Sequence, residues 1–158
     1  MLSYEDRVNF GQAQSLILAT LEAYERNNFL IAPILYGQAI TFYSKVDNID
    51  ELSNLKEFLY LMVLGAQESK DYENVIFFGK AHLDQGEDKS DIEVIHLLAR
   101  SYHELNRYKE ARQTAEAGLS LFNVHGYIDD ADQYIRNDLT HILSDVCGVA
   151  PLPIFSLN

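Results

Sequence analysis

Four residues with useful chemistry lie on one short stretch of the sequence: His96, Arg100, His103 and Glu104. Spacings of four and three residues put the first three on one face of a helix. With Glu104 they make a candidate catalytic site of two imidazoles, a guanidinium and an acid. The alternative is an exposed, hydrated helix face. A zinc site on a helix typically uses two histidines three or four residues apart and a third ligand, whereas His96 and His103 are seven residues apart. We therefore favour the hydrated face and expect no metal and no cofactor.

The other candidates for chemistry are isolated in the sequence. Cys147 has no nearby histidine, and as the only cysteine it cannot form an internal disulfide, which fits a reducing compartment. His82, His125 and His141 stand alone. No Gly-rich phosphate loop, Gly-x-Ser-x-Gly elbow or Cys-x-x-Cys pair occurs. The sequence therefore predicts a protein that is not an enzyme.

The formal net charge is −12, from 24 acidic and 12 basic residues. Phosphate backbones and anionic membrane surfaces would be repelled, so neither nucleic acid nor membrane is expected as a partner. A basic protein partner is favoured, although simple solubility is the alternative. The N-terminal residues do not read as a secretory signal, and no apolar run approaches the length of a membrane span. We expect the cytoplasm, with the nucleus as the other compartment.

Helices must position these residues, because apolar side chains recur at steps of three and four along most of the chain. A hydrophobic content of 47% in 158 residues is enough for the core of one domain. The connections are a polar stretch at 44–54 and a charged loop at 84–90. The predicted helices are 13–24, 30–43, 55–68, 72–83, 92–105, 108–121 and 128–146.

The last predicted helix, 128–146, carries one apolar face. Its other face holds acids, among them Asp138 and Asp145, and is predicted to meet solvent. The tail at 148–158 is apolar and contains Pro151 and Pro153, so it cannot continue the helix. It is predicted to fold back into a groove of this chain or of a neighbouring one, with a disordered terminus as the alternative.

A repeat is clearest in residues 92–123, where small and aromatic residues alternate across two predicted helices. Shifting the pattern back by 36 residues aligns Tyr72 with Tyr108, and a further 43 aligns Phe29 with Tyr72. The alternative is a helical bundle without repeats. The marker residues of the clearest unit are Leu98, Ala99, Tyr102, Asn106, Tyr108, Ala111, Ala115, Gly118 and Leu119.

This pattern resembles the tetratricopeptide repeat. The resemblance implies an all-α domain at 1–147, a right-handed superhelix of about three helix pairs (13–46, 56–89 and 92–125) capped by the helix at 128–146. In that family the first helix of each pair lines a concave groove. The alternative for Ile17, Leu21 and Leu64 is that they belong to the ordinary hydrophobic core and not to the groove. Carried over by position, the groove residues are Ile17, Leu21, Tyr24, Tyr60, Leu64, Gln67, His96, Arg100 and His103.

The resemblance implies a protein–protein interaction scaffold or adaptor subunit of an intracellular complex, which binds a basic or amphipathic peptide or helix in its groove. Residues 72–111 are similar to the N-terminal repeats of anaphase-promoting-complex subunits, and a homodimer is a further expectation. The alternative is a small chaperone like those of type III secretion. A subclass that clamps a C-terminal carboxylate is disfavoured, because none of its basic and amide residues occurs at the matching positions Ile17, Leu21, Leu61, Glu93 and Leu97.

Overall fold

A computed structural model describes residues 1–125 and 129–149, and within them every regular element is helical. This confirms the prediction of an all-α fold. The chain divides into two compact units, Met1–Gln85 and Gly86–Asn158. The first holds α1 (Tyr4–Glu25), α2 (Ala32–Tyr43), α3 (Leu55–Glu68) and α4 (Tyr72–Leu83), and the second holds α5 (Asp91–Glu104), α6 (Tyr108–His125) and α7 (Asp130–Val149).

The first helix is longer than the sequence predicted. It begins at Tyr4 and not at residue 13, because the Ser3 hydroxyl accepts a hydrogen bond from the backbone N–H of Asp6 at 3.0 Å. The acidic side chains of Glu5 and Asp6 also favour a helix N-terminus. The apolar pattern missed this stretch because Tyr4 is mostly exposed and breaks the expected stripe.

The remaining boundaries lie close to the predictions. α2 starts at Ala32, with Pro33 in its first turn. The connection at 44–54 contains a short 3-10 turn, Ile49–Glu51. α7 continues to Val149, past the point where a tail was predicted to begin. The predicted start of that helix at residue 128, and the predicted groove contact of the tail from residue 150 onward, lie outside the described residues.

The turns after α1, α3 and α5 share one geometry. In each, a residue with positive φ follows the helix: Asn27 (58°), Lys70 (55°) and Asn106 (60°). The next backbone N–H then reaches back to a carbonyl five residues earlier: Asn28 to Ala23, Asp71 to Ala66 and Arg107 to Tyr102, at 2.8 to 2.9 Å. This is the Schellman motif, which satisfies the last carbonyls of a helix. The three turns recur at the 43- and 36-residue steps of the sequence pattern.

The core of the first unit is aromatic. The ring of Phe58 on α3 lies 4.9 Å from Phe10 on α1 and 5.1 Å from Tyr43 on α2, and Tyr43 lies 5.9 Å from Phe78 on α4. One cluster of edge-on and tilted rings therefore joins all four helices of this unit.

Close helix approach at Gly65 completes the packing of the first unit. A Cβ there would lie 2.6 Å from Cδ1 of Ile17 and 3.3 Å from the ring of Tyr36, so any larger residue would require the Ile17 side chain to shift. Tyr36 donates a hydrogen bond to Asp71 at the start of α4. Burial, reinforced by this carboxylate, raises the pKa of Tyr36, so the hydroxyl stays protonated and keeps donating.

In the second unit, α7 packs against both α5 and α6. Of the apolar face that the sequence predicted it buries Ile135, Leu139, Ile142 and Val146, whereas Ala131 is exposed and Ile128 lies outside the described residues. A Cβ at Gly118 of α6 would meet Leu139 at 2.8 Å, so this glycine lets α7 approach. Across both units, none of the described helices combines the length and the apolar character that a bilayer crossing requires.

Candidate protein-binding clefts

Two predicted groove residues are buried, which corrects the prediction that they face a partner. Ile17 is fully buried, because its side chain fills the space beside Gly65, so the alternative of ordinary core holds for it. His96 is only 5% exposed. Residues in these positions contact their own chain and cannot present a surface to a ligand.

Five further groove predictions, all in the first unit, are half-buried. Tyr24 shares a hydrogen bond with Ser69 at 2.7 Å, and the ring of Tyr60 lies 6.0 Å from that of His82. The side-chain oxygen of Gln67 is buried without a hydrogen-bond partner among the described residues. These contacts give Tyr24 and Tyr60 structural roles within the unit. The five residues are Leu21, Tyr24, Tyr60, Leu64 and Gln67.

In the second unit, α7 covers the face of α5 that was predicted to line the groove. Nε2 of His96 lies 2.6 Å from Oδ2 of Asp138, and Nε of Arg100 lies 3.7 Å from the same oxygen. One heptad further, Nε2 of His103 lies 2.6 Å from Oδ2 of Asp145. The prediction that the acidic face of α7 meets solvent is therefore wrong for Asp138, whose side chain is only 21% exposed, whereas Asp145 stays exposed beside His103. Sequence periodicity missed the pairing because each pair is 42 residues apart.

A cleft of about 150 Å³ remains between α5 and α7. Carboxylates beside both imidazoles fix ring orientation, as in many catalytic sites. Neither imidazole, however, is hydrogen-bonded to a hydroxyl or thiol in the described part of the chain. The arrangement supplies two hydrogen bonds and the Arg100–Asp138 ion pair between two helices, and no nucleophile is paired with either imidazole among the described residues. The lining residues are Arg100, His103, Glu104, Asp138, His141, Ile142 and Asp145.

The first unit has a cleft of about 140 Å³ between α1 and the start of α3. Leu18 is 56% exposed at its rim, and Glu57 is exposed in the first turn of α3. Among the described residues Glu57 has no ion-pair or hydrogen-bond partner. The combination of an apolar floor, two amides and an unpaired carboxylate suits one side chain with an apolar stem and a cationic tip. Its lining residues are Gln14, Leu18, Asn54, Glu57, Phe58 and Leu61.

A further surface was not predicted from the sequence. The turn between α1 and α2 and the start of α2 expose Phe29, Leu30, Ile31 and Ile34. The repeat alignment had matched Phe29 with Tyr72, an aromatic at the start of a second helix, yet Phe29 is 62% exposed. A signal was present in the sequence, because this apolar stretch contains no acid in a strongly acidic chain.

Comparison of the chain with protein-family models, with curated proteins and with solved structures finds no match in any of the three.

Proposed function

We propose that this chain is a protein-interaction scaffold of the tetratricopeptide-repeat type, an adaptor subunit that binds a segment of another protein. The three recurring Schellman turns support the repeat assignment, because they fall at the steps of the sequence pattern. The proposed setting is the cytoplasm or the nucleus, which the single Cys147 favours.

The observation that carries the proposal is the α1–α3 cleft. Leu18 is exposed beside the carboxylate of Glu57, which has no partner among the described residues, and Gln14 and Asn54 add amide donors and acceptors. A cleft of this size holds one side chain and not a whole peptide, so it would anchor a Lys or Arg while the flanking residues lie along α1. The net charge of −12 would add long-range attraction for a basic partner.

The α5–α7 cleft supports the proposal less. Its carboxylates Asp138 and Asp145 are already paired with histidines of α5. A ligand would have to compete with those contacts, and leaving a half-buried charge unpaired is costly. We therefore assign the first peptide contact to the first unit.

Selection of peptides from a random library on the whole chain tests this function. We expect enrichment of segments with a Lys or Arg beside apolar residues. Glu57→Lys should weaken the binding of the selected peptides at least about tenfold, which corresponds to ~1.4 kcal/mol of binding free energy. Glu87→Lys makes the same charge change in the exposed loop before α5 and should leave the affinity unchanged.

Two outcomes would count against this function. One is a selection that yields no peptide above background. The other is a set of peptides that bind the Glu57→Lys variant as tightly as the unaltered chain. A chaperone-like protein would instead show one client bound as an extended segment and released on delivery, which time-resolved dissociation of the captured partner distinguishes from a constitutive complex.

A further inference from the structure

The surface around α2 differs in charge from the rest of the chain. The sequence from Arg26 to Val46 is its longest stretch without Asp or Glu, although the chain carries 24 acids. Four exposed apolar side chains lie in that stretch: Phe29 (62%), Leu30 (88%), Ile31 (42%) and Ile34 (60%). Contiguous exposed apolar residues mark interaction surfaces on most proteins. We call this surface, the α1–α2 turn with the outer face of α2, the neutral face.

Helix α2 contains no charged residue, although its outer side is open to solvent. The exposed residues of this helix are Pro33, Ile34, Gly37, Gln38 and Thr41. Charged side chains are depleted at the centre of protein interfaces, so an exposed helix face without them suits contact with another protein. The hydroxyl of Thr41 is bonded to the carbonyl of Gly37 at 2.9 Å, so it needs no other partner. Burial of the neutral face would therefore leave the hydroxyl of Thr41 hydrogen-bonded.

In the part of the chain that the structure describes, no contact explains the glycine at Gly37. A Cβ at this position would meet no described atom within 4 Å, and its backbone is helical. Glycine inside a helix costs about 1 kcal/mol relative to alanine. At Gly65, by contrast, the side chains of Ile17 and Tyr36 occupy the space that a Cβ would need. A glycine in the middle of an exposed helix face allows another helix to approach from outside.

We propose that the neutral face is a self-association interface and that its occupant is a second copy of this chain. Two copies, each with a net charge of −12, repel each other wherever carboxylates would meet. The neutral face avoids that repulsion. A two-fold contact requires a surface that complements itself, and an uncharged apolar surface meets that requirement. Gly37 lies near the middle of α2, so the α2 helices of two copies can cross at this residue. Ile34 of each copy would then pack against the other copy.

The proposal predicts an oligomeric state that responds to salt in a specific direction. Sedimentation equilibrium of the whole chain, from micromolar to submillimolar concentration, should show a monomer–dimer equilibrium. Added NaCl should strengthen the dimer, because screening reduces the repulsion between two acidic copies. A contact with a basic protein would weaken under the same change.

Two substitutions test the interface separately from folding. Ile34→Glu introduces a carboxylate, and Gly37→Gln introduces volume without charge. Each should raise the dimer Kd at least about tenfold. Gly37→Gln should also keep or raise the melting temperature, because glutamine is the better helix former. Phe77→Glu, at a side chain of matched 60% exposure on α4, should leave the dimer intact.

The proposal is overturned if the unaltered chain stays monomeric throughout, or if both variants dimerise like the parent. Binding of a monomeric chain to phosphatidylcholine vesicles would likewise overturn it and assign the neutral face to lipid. Peptide selection on the α1–α3 cleft is independent of these results, since neither Ile34 nor Gly37 lines that cleft.

Discussion

Asp6 ties the start of α1 to the connection that follows α2. Its Oδ1 accepts the backbone N–H of Asp47 at 2.9 Å, and its Oδ2 accepts the side-chain amide of Asn48 at 3.0 Å. The residue is 2% exposed. These donors, the Asp47 N–H first, hold the pKa of Asp6 below its ordinary value of 3.8. A single carboxylate thus fastens two segments about forty residues apart in the sequence.

Stability should therefore depend on the ionisation of Asp6. Because its pKa is lower in the folded state, the stabilisation is fully present above pH 3.8 and is lost as the pH falls through the folded value. We expect Asp6→Asn to lower the free energy of unfolding at neutral pH. In acid the parent and the variant should become equally stable, because Asp6 is then protonated in the parent. Urea titrations across the pH range measure this.

Glu87→Gln is the matched control for Asp6. It removes a carboxylate from the exposed loop, where the described chain offers it no hydrogen-bond donor, and should change stability little at any pH. If the difference in the free energy of unfolding between Asp6→Asn and the parent stayed constant down to the most acidic samples, the ionised carboxylate of Asp6 would not be the source of the stabilisation.

At the scale of the element, the three Schellman turns are chemically unequal. Asn27 and Asn106 tolerate positive φ, because their short polar side chains suit the left-handed region. Lys70 adopts the same conformation with a φ of 55° and a full Cβ penalty. The turn after α3 therefore carries backbone strain that its counterparts largely avoid.

Replacing Lys70 isolates that strain. Lys70→Gly should stabilise the protein by roughly 1 kcal/mol, because glycine adopts positive φ without a steric penalty. Lys70→Ala removes the same charge but keeps the Cβ, so it should bring no such gain. Thermal and chemical unfolding of the two variants compare them directly. Equal stability of the glycine and alanine forms would mean that the turn does not constrain φ in solution.

At the scale of the whole molecule, two connections of similar polarity behave differently. The sequence predicted both 44–54 and 84–90 as polar or charged loops. In the first, Val46 and Leu52 are buried and Asp6 binds the backbone. In the second, residues 84–89 are all exposed, and the boundary between the two compact units falls at Gln85.

Limited proteolysis should distinguish these connections. A broad-specificity protease such as subtilisin should cut the whole chain first within 84–89, at least about tenfold faster than within 44–54, because a protease needs locally unfolded backbone. Intact-mass measurement identifies the first fragments. First cleavage inside 44–54 would show that the buried Val46 and Leu52 do not hold that connection in place.

Local patterns were sufficient to predict most helices of this chain. Residues 55–68 and 72–83 were assigned correctly, since capping residues and apolar steps of three and four act within a few neighbouring positions. The same steps identify four buried apolar positions of α7, although Ala131 of the predicted face is exposed. The start of α1 was missed because its first two turns bury few apolar residues, and local periodicity then gives no signal.

The sequence by itself determined the all-helical class, the acidic net charge and the position of the two turns that contain Asn27 and Asn106. These features depend only on composition and on neighbours along the chain. Only the tertiary structure decided how helix faces meet. It paired His96 with Asp138 and His103 with Asp145 across 42 residues, and it left the neutral face of α2 exposed. Helical periodicity identifies a stripe of residues on one element. Which other element covers that stripe depends on long-range packing, which no local pattern records.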